Sequence, residues 1–138
     1  MLKTLLFVGI GGALGSIFRY LTHWITTKYF QSSFPISTLL VNILGSLLIG
    51  IFIGYISKYF PENHPLKFLL IVGFCGGFTT FSSFALENYN LFQNNQQVMA
   101  YLYIIVSIIV TITAVGLGNY LAKFLWYRFC FEIRFKKY

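Results

Sequence analysis

Apolar residues run along this chain in four long blocks, at about residues 4–25, 37–57, 67–86 and 98–126. The polar stretches between them are short: TTKYFQSSFP, KYFPENHP and NYNLFQNNQQ. Each block reaches the roughly 20 residues that a helix needs to cross the hydrocarbon core of a bilayer. Helices are the expected form, because lipid offers the backbone no hydrogen-bond partner and a helix satisfies its own. The second connector holds Pro61 and Pro65, ordinary helix breakers. Trp24, Tyr29, Tyr55, Tyr59, Tyr89 and Trp126 fall near block ends, where amphipathic rings sit at the membrane–water boundary.

Composition strengthens this pattern. Hydrophobic residues make up 57% of the 138 positions and charged residues only 9%. A soluble domain carries about a quarter charged residues, so this chain reads as one all-α integral membrane domain over residues 1–138. The opening MLKTLLFVGIGGALGS has the basic-then-apolar order of a secretory leader. Its apolar run continues to Trp24, so a retained first helix is expected. The net charge of +7 would suggest nucleic acid on a soluble protein. Here the charges flank apolar blocks, so topology explains them and no nucleic-acid partner is expected. With four spans, Lys3, Lys58, Lys67, Lys123, Arg128, Arg134, Lys136 and Lys137 share the side of the termini, against Arg19 and Lys28. The bias places both termini in the cytoplasm.

Catalytic chemistry is poorly supplied. The acids are Glu62, Glu87 and Glu132, the histidines are His23 and His64, and there is no Asp. The histidines lie near block ends and are read as interfacial residues. Cys75 and Cys130 have no spacing that suggests a disulfide or a metal site. No nucleophile–base set or phosphate loop is visible, so an enzyme is not expected.

Polar and small residues inside the blocks carry the remaining signal. The first block holds GGALGSIFRY, with Gly11 and Gly15 at the spacing that lets helices approach closely. Arg19 either snorkels to the interface or forms an electropositive funnel for anions. The second block holds STLLVNILGS, where Asn42 needs partners inside the membrane, from a neighbouring helix or along a polar path. Gly45, Ser46, Gly50 and Gly54 add small faces.

The third block holds GFCGGFTTFSSF. Gly76 and Gly77 weaken the helix, each by about 1 kcal/mol against Ala, and predict a break whose freed carbonyls could hold a cation. Beyond it, Thr80, Ser83 and Glu87 share one helical face, and Phe78, Phe81 and Phe84 lie on a neighbouring one. The rings are either packing or electropositive edges aimed into a narrow pore. In the fourth block, Tyr103, Ser107 and Thr111 form a hydroxyl stripe. Hydroxyls, amides and ring edges without a fixed internal acid favour a small anion over a cation.

These three motifs, in this order and spacing, resemble the Fluc (CrcB) fluoride channels over nearly the whole chain. The resemblance implies an antiparallel dimer of four-helix subunits with a broken third helix, two fluoride pores, and a central structural Na⁺. By position, the carbonyls of Gly77 and Thr80 would hold Na⁺. Phe81 and Phe84 would face the pore, with Asn42 as its amide and Tyr103, Ser107 and Thr111 as its polar track. Ser82 and Ser83 fit hydroxyl positions beside the rings, Glu87 a polar position near a pore end, and Arg19 the vestibule. Ser37 stands where the family often has Gly, and the tail FCFEIRFKKY is long for the family. Fluoride and membrane lipid are the implied partners. The expected protein is a passive channel that exports fluoride from the cytoplasm across the cell membrane. Members that insert in both orientations carry little charge bias, so the bias here suggests a fixed orientation. It admits a homodimer, or a heterodimer with a similar subunit of opposite topology. Two other readings remain at this point. A small multidrug/proton antiporter needs a deep ionisable group, and the first block has no acid. A non-transporting assembly subunit would need only the glycine faces.

Overall fold

The computed structural model describes the chain apart from residues 31, 33, 62, 63 and 136–138, and describes the backbone alone for 126–135. Glu62, Lys136 and Lys137, and the side chains of Trp126, Arg128, Cys130, Glu132 and Arg134, thus lie outside the described residues. All regular structure among the described residues is helical. Helix α1 spans Leu2–Tyr29 and α2 spans Ile36–Tyr59. The third membrane segment starts as a π-helical stretch, Lys67–Cys75, and continues as the single turn α3, Gly76–Phe78. After two extended residues, α4 runs over Phe81–Gln93, and α5 over Gln97–Phe135. Among the described residues, four spans are long and apolar enough to cross a membrane: Leu2–Tyr29, Ile36–Tyr59, Lys67–Gln93 and Gln97–Leu125. The chain is a multi-pass membrane protein. Trp24, Tyr29, Tyr55, Tyr59 and Tyr89 are exposed near the ends of their helices.

Glycines set the packing. The added Cβ of a larger residue at Gly11 would meet the Leu69 carbonyl and the Phe74 amide, and at Gly15 the Phe74 carbonyl and the Phe78 amide. Gly73 and Gly77 answer from the third segment, against the backbones of Gly11 and Gly12. This seam joins α1 to the third segment. A second seam joins α2 to α5, where Gly50 lies against the backbone of Val115 and Asn119, and Gly118 against Leu47 and Ile51. Lipid gives apolar side chains no reason to leave it, so close backbone contact carries helix association. Large side chains accordingly face outward along the described parts of α1 and α5, and among the described residues the largest fully buried ones are Tyr103, Val41 and Cys75. Asn95, in the left-handed region at φ 56°, closes the turn from α4 to α5, a conformation Asn tolerates well.

The break in the third segment lies two residues beyond the expected one. Gly76 keeps helical dihedrals (φ −62°, ψ −37°), and Gly77 stays within the turn of α3. The extended residues are Thr79 (φ −77°, ψ 158°) and Thr80 (φ −149°, ψ 117°). The reason is packing: Gly77 is small because the Gly12 backbone abuts it. The β-branched threonines lose little by being extended, and their side chains bond to the turns on either side. Thr79 Oγ1 donates to the Cys75 carbonyl at 2.9 Å. Thr80 caps α4, its Oγ1 accepting from the Ser83 amide at 3.2 Å. The break also separates Phe78 from the other two rings. It belongs to the preceding turn, stacked 5.9 Å from Phe74.

Candidate functional site

The site grows from the break. Extended backbone at Thr80, the N-cap of α4, leaves its amide without a helical partner, and such a group inside a membrane must be satisfied. Asn42 of α2 bonds this amide and the Thr80 carbonyl as well. Its Oδ1 accepts from the Thr80 amide at 2.8 Å, and its Nδ2 donates to the Thr80 carbonyl at 3.1 Å. Opposite the break, Gly45 leaves room for the Thr79 methyl. The Thr80 hydroxyl also meets Ser82 Oγ at 3.3 Å and Ser83 Oγ at 3.1 Å.

Two grooves meet at Thr80. The first, of about 370 Å³, is lined by Asn42, Ser46, Thr80, Phe81, Phe84, Ser107 and Thr111, among others. Phe81 and Phe84 lie 5.6 Å apart at 42°. The Phe81 ring is 79% exposed. Thr111 Oγ1 donates to the Ser107 carbonyl at 2.6 Å. Ser107 Oγ is buried and has no hydrogen-bond partner among the described residues. A buried hydroxyl in that state is where a ligand or water completes the set.

The second groove, of about 290 Å³, is lined by Ser16, Arg19, Tyr20, His23, Ser37, Thr38, Val41, Thr80, Ser83 and Glu87. Glu87 is its acid. One carboxylate oxygen accepts from Thr38 Oγ1 at 2.5 Å and the other from Tyr103 at 2.8 Å. Tyr103 is fully buried, 5.0 Å from the Phe84 ring and 5.3 Å from the Phe34 ring. Through these contacts Tyr103 and Glu87 connect the ring pair with the second groove.

The structure therefore gathers Asn42, Thr80, Phe81, Phe84, Ser107 and Thr111 around one groove and Arg19, Thr80, Ser83 and Glu87 around the other. Tyr103 joins by hydrogen bond rather than by lining either. Ser82 is exposed and lines neither, because it points off the face of α4 that Ser83 and Glu87 share. Gly77 is in the α1 seam, also outside both grooves. Sequence reasoning missed Thr38 as the partner of Glu87 and the His23–Ser37 contact at 2.9 Å. The available signal was two adjacent hydroxyls opening the second block, across from a lone acid ending the third.

Comparison with known proteins bears on what such grooves serve. Residues 6–119 match the family model described as CrcB-like protein, Camphor Resistance (CrcB). The chain belongs to the CrcB family. A relative from Flavobacterium psychrophilum is 47% identical over 88% of this chain and 98% of its own length. Another, from Azobacteroides pseudotrichonymphae, is 43% identical over 90% and 99%. A third, from Ignicoccus hospitalis, is 40% identical over 88% and 97%. Each of these CrcB relatives is called a fluoride-specific ion channel. Both grooves and the whole break fall inside the matched CrcB region.

Proposed function

We propose that this chain is a fluoride-selective channel that lets fluoride leave the cytoplasm passively and so lowers its toxicity. It is a transporter rather than an enzyme. The observation that carries the reading is the first groove. It sets an amide, several hydroxyl residues and a pair of rings along one membrane-embedded path, in a chain whose relatives are named as fluoride channels. A desolvating fluoride ion needs donors in place of water. Ser107 Oγ and the second amide hydrogen of Asn42 Nδ2 supply such donors, and ring edges at Phe81 and Phe84 carry positive potential without a full charge. Weak donors in series let an ion enter without trapping it. HF crosses lipid as a neutral acid and ionises inside, so an anion path alone supports export.

Two subunits packed antiparallel would complete the pore. The open groove and the outward Phe81 ring support this, since each lacks an opposing wall within one chain. A structural Na⁺ at the subunit contact would be held by the carbonyls of Gly77 and Thr80. The donor set fits: carbonyl oxygens suit a hard cation, and the interrupted helix frees such groups near mid-membrane. The membrane is the cell membrane, with both termini cytoplasmic. The charge bias supports one fixed orientation and a partner subunit of opposite topology. Expression in a cell without fluoride export tests the reading. Growth in fluoride restored by this chain, alone or with such a partner, supports it. No rescue from either, with membrane insertion verified by immunoblot, contradicts it.

A further inference from the structure

The second groove contains a titratable group that the channel reading leaves unused. Ser16, Arg19, Tyr20 and His23 recur at helical spacing along one face of α1, and all four line this groove. His23 is exposed, and its Nδ1 lies 2.9 Å from Ser37 Oγ of α2. This contact fixes the ring over the same space that Arg19 and Glu87 border. Ser37 stands where a glycine would leave the ring unheld.

We propose that His23 is a pH-dependent anion-attracting residue of this vestibule, oriented by Ser37, and that its imidazolium form raises fluoride entry. The inference rests on the channel reading above. Charge balance supports it. Among the described residues, the groups facing His23 are Arg19 and Tyr20 on its own helix and the Glu87 carboxylate from α4. Helix α2 brings only Ser37, Thr38 and Val41, which carry no charge. Helix α5 enters only through Tyr103, bonded to Glu87. Lys28 is turned to the Trp24 and Tyr29 rings, at 5.4 and 5.6 Å. Arg19 and Glu87 offset each other formally, so a neutral His23 leaves the vestibule with no net charge and an imidazolium leaves it positive. Imidazole is the side chain whose charge ordinarily changes between about pH 5 and 8.

In the neutral tautomer protonated at Nε2, Nδ1 accepts the Ser37 proton, and protonation reverses the contact, the imidazolium donating to Ser37 Oγ. The serine hydrogen is then released as a donor. Acid thus supplies the vestibule with a cation and an O–H together, and both favour an anion.

Single-channel current through the conducting assembly in planar bilayers tests this, at subsaturating fluoride and low ionic strength. Neutral HF carries no current, so leak through lipid does not enter. Wild-type conductance should rise about three-fold from about pH 8 to about pH 5.5, the effect of one charge several ångströms from the path in high dielectric. His23→Gln should stay flat at the alkaline level, and His23→Arg flat at the acidic level. A wild-type current unchanged by pH, a rise that persists in H23Q, or an H23R channel no better than H23Q each overturns the inference and leaves the channel reading standing. No fluoride current at any pH, from this chain alone or with an opposite-topology partner, overturns the channel reading and this inference with it.

Discussion

At the residue scale, one side chain holds the site together. Asn42 pairs with both backbone groups of Thr80, so it braces the extended peptide at the same time as it lines the groove. Asn42→Ala removes both bonds and leaves the buried Thr80 amide unsatisfied. Its expected cost is roughly 1–3 kcal/mol of stability, read as earlier thermal unfolding in detergent, together with at least tenfold slower fluoride flux. Phe81→Ala should separate these effects. The ring is 79% exposed, so unfolding should barely move while flux falls as far. Equal flux from both variants and wild type would return the grooves to a packing role. Asn42 was conspicuous in the sequence because an amide in a membrane block needs a partner. Its particular partner was not visible there, because Thr80 becomes available only once the backbone turns extended.

At the element scale, glycine is used for proximity more than for flexibility. Four apolar blocks were plain from length and hydropathy, and so was the close-packing face of α1. The location of the break was less legible. Adjacent glycines look like the weak point of a helix, but Gly77 is committed to the α1 seam. The interruption falls to Thr79 and Thr80, whose hydroxyls bond to the turns on either side, Thr80 Oγ1 standing in for the helical partner of the Ser83 amide. The helix-face reading was sound on one side of the interruption only. Ser83 and Glu87 stay together with Thr80, whereas Phe78 separates from Phe81 and Phe84. The seams make a sharp prediction. Gly15→Leu drives a side chain into the Phe74 carbonyl and Phe78 amide, a clash that rotamers cannot relieve and whose cost is about 1–3 kcal/mol or more. It should lower the melting temperature and broaden the size-exclusion profile. Gly116→Ala meets nothing within 4 Å and should leave both unchanged.

At the scale of the whole molecule, the proposed assembly has each chain present half of a path. The outward Phe81 ring and the open groove support a second subunit as the opposing wall in that proposal. If Na⁺ holds that contact, replacing it with a large organic cation should lower dimer stability and slow flux, and returned Na⁺ should restore both. Analytical ultracentrifugation and flux in the two media would read this. Unchanged dimer and flux after exhaustive exchange would remove Na⁺ from the account. The orientation of the chain is a property of this scale too. Charge placement predicts it from sequence, because lysines and arginines at span ends resist translocation, whereas the identity of the partner is written in another chain's surface.

Fluoride efflux from liposomes containing the purified chain, followed by a fluoride electrode beside a chloride electrode, tests the central claim most directly. The account predicts rapid fluoride loss without chloride loss, from this chain alone or once an opposite-topology subunit is added, and its abolition in Phe81→Ala. Chloride leaving with fluoride, or efflux unaffected by Phe81→Ala, would contradict it.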